Sequence, residues 1–220
     1  MARHRRAIRT RTAVLAATRT LGVRFTEHMG VAVYPIRVQV AKPTTPRNRG
    51  TVAIRLLMLI PHIVVLYVIN VVAQIAMLIQ WFICVFTGKR NKGLFDFIVN
   101  YIAYAARVQS YGMLLHDVYP KFGFTDRDSP MAFANDFDPN ANRLTTLFRF
   151  IVAIPAAIIS ALFGIGAFFM AIGAWFSILI TGKMSDGMWD FIHKTLRYTT
   201  AVQGYTSLTT DTYPWPAAVG

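Results

Sequence analysis

Two stretches of the chain lack any charged side chain for 33 residues each, one between Arg55 and Lys89 and one between Arg149 and Lys183. Runs of 18 or more such residues point to membrane insertion. As one straight helix, 33 residues reach about 50 Å, whereas the hydrocarbon core is about 30 Å thick. Hiding that length by tilt would take more than roughly 50°, beyond the usual range. Folded in two, each arm is about 24 Å long. The pattern therefore predicts a hydrophobic hairpin, with one long helix kinked at Pro61 or Pro155 as the alternative. Asn70, which aligns with Gly164, and nearby Gly166 offer the left-handed conformations that a turn between the arms requires.

An amphipathic segment follows each run. Asp96, Asn100, Arg107 and Ser110 share one helical stripe, opposite Leu94, Ile98, Tyr101, Ala105 and Val108. Asp190, Lys194 and Arg197 repeat that stripe against Ile192 and Leu196. These segments predict helices lying in the membrane interface. Packing as a further crossing would bury Arg107, which is costly in hydrocarbon. Between the copies, residues 121–142 carry Asp126, Asp128, Asp136 and Asp138 with two prolines and no periodicity, the pattern of a solvated loop. Asp136-Phe137-Asp138-Pro139-Asn140 lacks the glycine and distal glutamate of a calcium-binding hand.

The two halves are one unit repeated 94 residues on. Asn48-Arg49 returns as Asn142-Arg143, Arg55 as Arg149, Pro61 as Pro155, Trp81 as Trp175 and Thr87-Gly88-Lys89 as Thr181-Gly182-Lys183. Asp96 returns as Asp190, and Asp117 with Tyr119-Pro120 as Asp211 with Tyr213-Pro214. The fold class expected is an all-α membrane protein of two tandem repeats joined by short extended Tyr-Pro corners. Its parts are a basic arm (1–33), repeat one (34–122), an acidic linker (123–141), repeat two (142–216) and a tail (217–220).

Charge changes the picture mainly at the N-terminal end. Residues 1–55 hold 12 of the 23 Lys and Arg against the single acid Glu27. The positive-inside rule places that end in the cytoplasm, and the same rule applied to Lys89, Arg90 and Lys92 puts both ends of the hairpin there. Arg3, Arg5, Arg6, Arg9, Arg11, Arg19 and Arg24 exceed what orientation needs and are expected to dock on anionic lipid or an acidic partner. The arm's Arg, Thr and Ala content also suits a transit peptide, and no apolar segment closely follows its first arginines. The single cysteine, Cys84, leaves no disulfide within one chain.

In order, the motifs are Tyr-Pro, Asn-Arg, Arg-x5-Pro, Trp-Phe, Thr-Gly-Lys, Asp-Phe and Asp-x-Tyr-Pro. Over residues 34–216 that order resembles the bacterial membrane family known as domain of unknown function 4389, whose members often carry the unit twice. The resemblance implies a multi-pass protein of the bacterial cytoplasmic membrane and brings no established activity. Where the family's turn is expected to hold a proline after Thr-Gly, this chain has Arg90-Asn91-Lys92 and Met184-Ser185-Asp186, which implies a looser turn.

Candidate chemistry does not survive comparison of the copies. His116-Asp117 with Tyr119 resembles an acid–base cluster, yet Thr210 stands at the histidine's place in the second copy. His62 aligns with Ala156 and His193 with Val99, and there is no phosphate loop, zinc spacing or nucleophile elbow. What recurs is architectural. Gly88 and Gly182 suit helix ends, Trp81 and Trp175 the membrane interface, and Pro120 and Pro214 the corners. Asp117 and Asp211 are placed to bond turn amides. The expectation is a non-enzymatic scaffold or accessory subunit without cofactor, metal or nucleic acid, packed with lipids and other membrane subunits. The alternative is a small transporter with its pathway between the repeats, although Asn70, Gln74 and Gln80 become Gly164, Phe168 and Ala174.

Overall fold

The computed structural model describes residues 34–44, 46–125 and 128–219, so the seven arginines expected to dock the arm lie outside the described residues. In chain order the elements are β1 (Ile36–Val40), α1 (Arg49–Ala53), α2 (Arg55–Thr87), α3 (Lys92–Gly112), β2 (Met131–Asn135), α4 (Arg143–Thr181), α5 (Asp186–Thr206) and α6 (Pro216–Val219). The helix boundaries recur at the same offset of 94, and the strands at 95. Helices α1 and α2 together run from 49 to 87 and α4 from 143 to 181; α3 returns as α5. The joint at Ile54 is the one interruption without a counterpart in α4.

The hairpin expectation is overturned. Each hydrophobic run is a single helix of 33 or 39 residues, and both continue through their internal prolines, Pro61 and Pro155. Two of the supposed turn residues serve packing instead. Asn70 accepts a hydrogen bond from Tyr101 Oη at 2.8 Å, and a side chain on Gly166 would lie 3.0 Å from the Phe191 ring. Helices α2 and α3 pack together, as do α4 and α5, so the antiparallel partner of each run is the amphipathic segment after it.

Those segments turn their apolar side to protein. The apolar side of α3 is buried inside the protein, with Ile98 and Ile102 inaccessible against Ala73 and Ala76 of α2. Arg107 is only 4% exposed and donates to the Gly123 carbonyl at 2.8 Å. Its burial is tolerated because hydrogen-bonding protein groups face it. Small residues line the buried side of α4: Ala156 and Ala167 pack against α5, and Ala174 against Val52 of α1.

The linker also differs from expectation, because residues 131–135 form β2 and pair antiparallel with β1. The ribbon packs on α5 through β1 and on α3 through β2. Ile36, Val38 and Val40 point inward while Gln39 is exposed, an alternation that gives the ribbon one buried and one wet face. Val38 faces Phe133, while Ile36 faces Asn135 and Val40 faces Met131; at the strands' offset of 95 the first pair maps onto itself and the other two onto each other when the copies are exchanged.

The same reciprocity holds between the long helices. Trp81 Nε1 donates to the Thr146 carbonyl and Trp175 Nε1 to the Val52 carbonyl, both at 3.1 Å. Arg47 N donates to the Gly182 carbonyl, and Ala141 N to that of Gly88. The end of α2 thus meets the start of α4, and the end of α4 meets α1. The two copies are related by a pseudo-two-fold axis, with α2 and α4 antiparallel. Both tryptophans spend their indole N–H on this seam.

Candidate functional site: two buried arginine–aspartate centres

The charged groups that the apolar runs lack are gathered at the two ends of the helices. Arg55, in the first turn of α2, is 2% exposed. Its Nη1 donates to the carbonyls of Tyr111 (2.9 Å) and His116 (3.0 Å), and its Nη2 to Asp117 Oδ1 at 2.7 Å. Arg47 donates to the same carboxylate oxygen at 2.9 Å and to the Leu114 and Leu115 carbonyls. The Arg55 guanidinium also lies 4.3 Å from the centroid of the Tyr111 ring. Burial disfavours the charge on Asp117, but the two guanidinia outweigh it and hold its carboxyl below the usual carboxylate range.

The second centre is built by the same rules. Arg149 donates to the carbonyls of Tyr205 and Thr210 and to Asp211 Oδ1, with its guanidinium 4.7 Å from the Tyr205 ring centroid. Position 141, the counterpart of Arg47, is alanine. Arg90 of the first copy fills the gap: its Nη2 pairs with Asp211, and its Nε donates to the Leu208 carbonyl at 2.9 Å. Leu208 is the counterpart of Leu114, and these two alone among the described non-glycine residues have positive φ, 65° and 64°. That conformation turns their carbonyls toward the second arginine of each centre.

Asp117 and Asp211 do not cap the corners as the sequence predicted. Besides the arginines, they accept from Asn48 N (3.4 Å) and Asn142 N (2.8 Å), which fixes the N-cap residues of α1 and α4. The side chains of Asn48 and Asn142 in turn accept from the first free amides of their helices. Gly88 and Gly182 end the long helices in the left-handed conformation, as expected. The polar residues after them do not loosen the turn, because Asn91 and Ser185 cap α3 and α5.

His116, Asp117 and Tyr119, which resemble an acid–base cluster in sequence, take separate partners. His116 Nε2 lies 2.9 Å from Ser110 Oγ, Asp117 faces the arginines, and Tyr119 Oη donates to the Met58 carbonyl. Burial first, then Arg55 and Arg47, push His116 down to about 4. His193 is likewise pushed to about 4, chiefly by burial, and its Nε2 accepts from Val40 N. His62 is stacked on Phe122 with ring centroids 4.2 Å apart, while its Nδ1 lies 2.7 Å from Tyr104 Oη. Tyr213 packs between Tyr205 and Trp215, and Pro120 and Pro214 are buried at their corners. Asp96 pairs with Lys92, and Asp190 lies 3.7 Å from Lys42.

A cleft of about 310 Å³ opens beside the start of α5, lined in part by Lys42, Arg47, Lys183 and Asp186. Its cations are already engaged, since Lys42 pairs with Asp186 at 2.9 Å and Arg47 with Asp117. Among the described residues no three His, Cys, Asp or Glu side chains are placed to hold a metal ion. The buried arginine–aspartate pairing needs two sequence-distant cations per carboxylate. Arg55 and Arg149 signal it by recurring with Asp117 and Asp211, whereas Arg90 carries no repeat signal.

Residues 49–123 and 143–218 each match one family description, "Domain of unknown function (DUF4389)". No curated protein and no solved structure gives a significant match.

Proposed function

This chain belongs to the family of domain of unknown function 4389 and carries its unit twice, and on that premise we propose that it is a non-catalytic scaffold or accessory subunit embedded in the bacterial cytoplasmic membrane through α2 and α4. The observation that carries this reading is where apolar surface remains exposed. Of the 34 exposed large hydrophobic residues among those described, 30 sit on α2 and α4. Contiguous apolar surface on that scale marks a membrane or protein contact. Both helices are long and apolar enough to enter a bilayer, and only 17% of the most apolar window of each is buried.

The polar interior supports the non-catalytic part. Asp117 and Asp211 are both engaged by arginines that also tie down backbone carbonyls, an arrangement suited to holding helix ends together. The transporter reading lacks such support, because Asn70 is tied to Tyr101 and its counterpart is Gly164. Partners of the scaffold are lipids and neighbouring membrane subunits, with the basic arm as a docking element.

Two measurements test the proposal. The protein should stay with membranes through a high-salt, alkaline wash and leave them only in detergent. His116→Ala should fully complement whatever phenotype a deletion causes. Loss of complementation at normal protein level would restore an enzymatic role, and release by the alkaline wash would remove the membrane.

A further inference from the structure

We infer that α2 and α4 lie flat in a single leaflet, parallel to the membrane plane, with the β-ribbon side of the protein in water; this deepens the membrane reading above and rests on it. The surface concerned is the exposed apolar side of the two long helices, and its partner is the acyl and head-group region of an anionic bilayer.

Length is the first argument. Helices of 33 and 39 residues are about 50 and 58 Å long, and neither matches a hydrocarbon core of about 30 Å at ordinary tilts. Lying in the plane, they meet no thickness limit.

Symmetry is the second. An antiparallel ribbon whose two strands both turn their inner face to the helices has its two-fold axis perpendicular to the sheet. The axis that exchanges the copies therefore runs from the wet face of the ribbon toward the helices. If α2 and α4 crossed the membrane, this axis would lie in its plane and the copies would be inverted. If they lie flat, it stands along the membrane normal and both copies meet the bilayer identically, in keeping with their similar apolar runs.

Charge is the third. Lys89 and Lys183, and likewise Arg49 and Arg143, are exposed counterparts at opposite ends of the helices. Crossing helices would then carry matching cations on both sides of the membrane, against the positive-inside bias. In the flat arrangement both ends face anionic head groups, which attract such cations.

The wet side supplies the fourth. Exposed Lys194 lines a small crevice with Phe163, near the midpoint of α4. Crossing would hold that ammonium at mid-bilayer depth, together with the exposed Arg37–Asp136 pair and the open ribbon edges. Flat insertion leaves all of them in water.

The test uses the full chain with Cys84→Ser, reconstituted in phosphatidylglycerol–phosphatidylcholine vesicles. Single cysteines at Leu56, Tyr67, Leu78 and Phe86 carry a fluorophore, and quenchers sit at graded depths on the lipid chains. The four positions should be quenched best by the same shallow quencher, with labels at Gln39 and Lys194 quenched from water. A profile deepest near Tyr67 and shallow at both ends would overturn flat insertion while leaving the membrane reading intact. Labels unreached by lipid quenchers, whether the protein stays in solution or pairs through this face with a second copy, would overturn both.

Discussion

Arg90 and Arg47 perform one task from positions that are not counterparts, which shows that the chemistry at each helix end is conserved between copies even where the residue is not. A partly exposed carboxylate facing two buried guanidinia is balanced only while all three groups remain. Asp117→Asn or Asp211→Asn would strand two buried cations, and each should destabilise the protein by about 3–5 kcal/mol in detergent unfolding. Arg47→Met and Arg90→Met should have costs similar to each other. Histidine sets the acid limit. His116 has an ordinary pKa of 6.5 and about 4 when folded, so the unfolded chain binds the proton first as pH falls. Its stabilisation is whole above pH 6.5 and is lost progressively down to pH 4, roughly 3 kcal/mol in all. Unfolding scans at both ends of that window should show the loss, and His116→Gln should remove this part of it while leaving that of His193. The sequence marked Arg55, Arg149 and both aspartates by repetition. It was silent on Arg90, because pairing across copies leaves no periodic trace.

At the scale of elements, the Thr-Gly-Lys corners were legible because a left-handed helix end has a specific chemical signature. Gly88→Ala and Gly182→Ala should each cost about 1–2 kcal/mol from backbone conformation alone. Gly88→Ala should cost more, since the added carbon meets Arg143 Nε at 3.0 Å, against 3.5 Å to Arg49 at Gly182. Thermal unfolding of the two variants side by side would show that order. The long helices were misread for a physical reason. Membrane thickness limits only a helix that crosses, and Asn70 and Gly166, which suit a turn by residue type, are packing residues inside helices, while Gly164 sits mid-helix with open space beside it. The second strand was missed because five residues in a polar linker, paired only with a distant segment, give no local signal.

For the whole molecule, duplication was plain from the offset, but the relation between the copies was not. An offset records that a unit recurs and says nothing of the rotation that places it. The seam supplies that rotation. Trp81 reaches Thr146 as Trp175 reaches Val52, and the ribbon pairs each strand with its own counterpart. In an isologous interface residue i touches j and j touches i, which is the rule of a two-fold homodimer. One unit therefore already holds both halves of these contacts, the indole and the carbonyl, the strand and its complement. A gene encoding residues 34–125 alone should yield a chain that pairs with itself, visible as a dimer by mass measurement in detergent, and a monomer would show that the seam depends on the covalent link. The present chain has the geometry of an ancestral pair of identical subunits joined end to end. Fusion then freed each half to change without the other, as the arginine at 90 and the alanine at 141 have done.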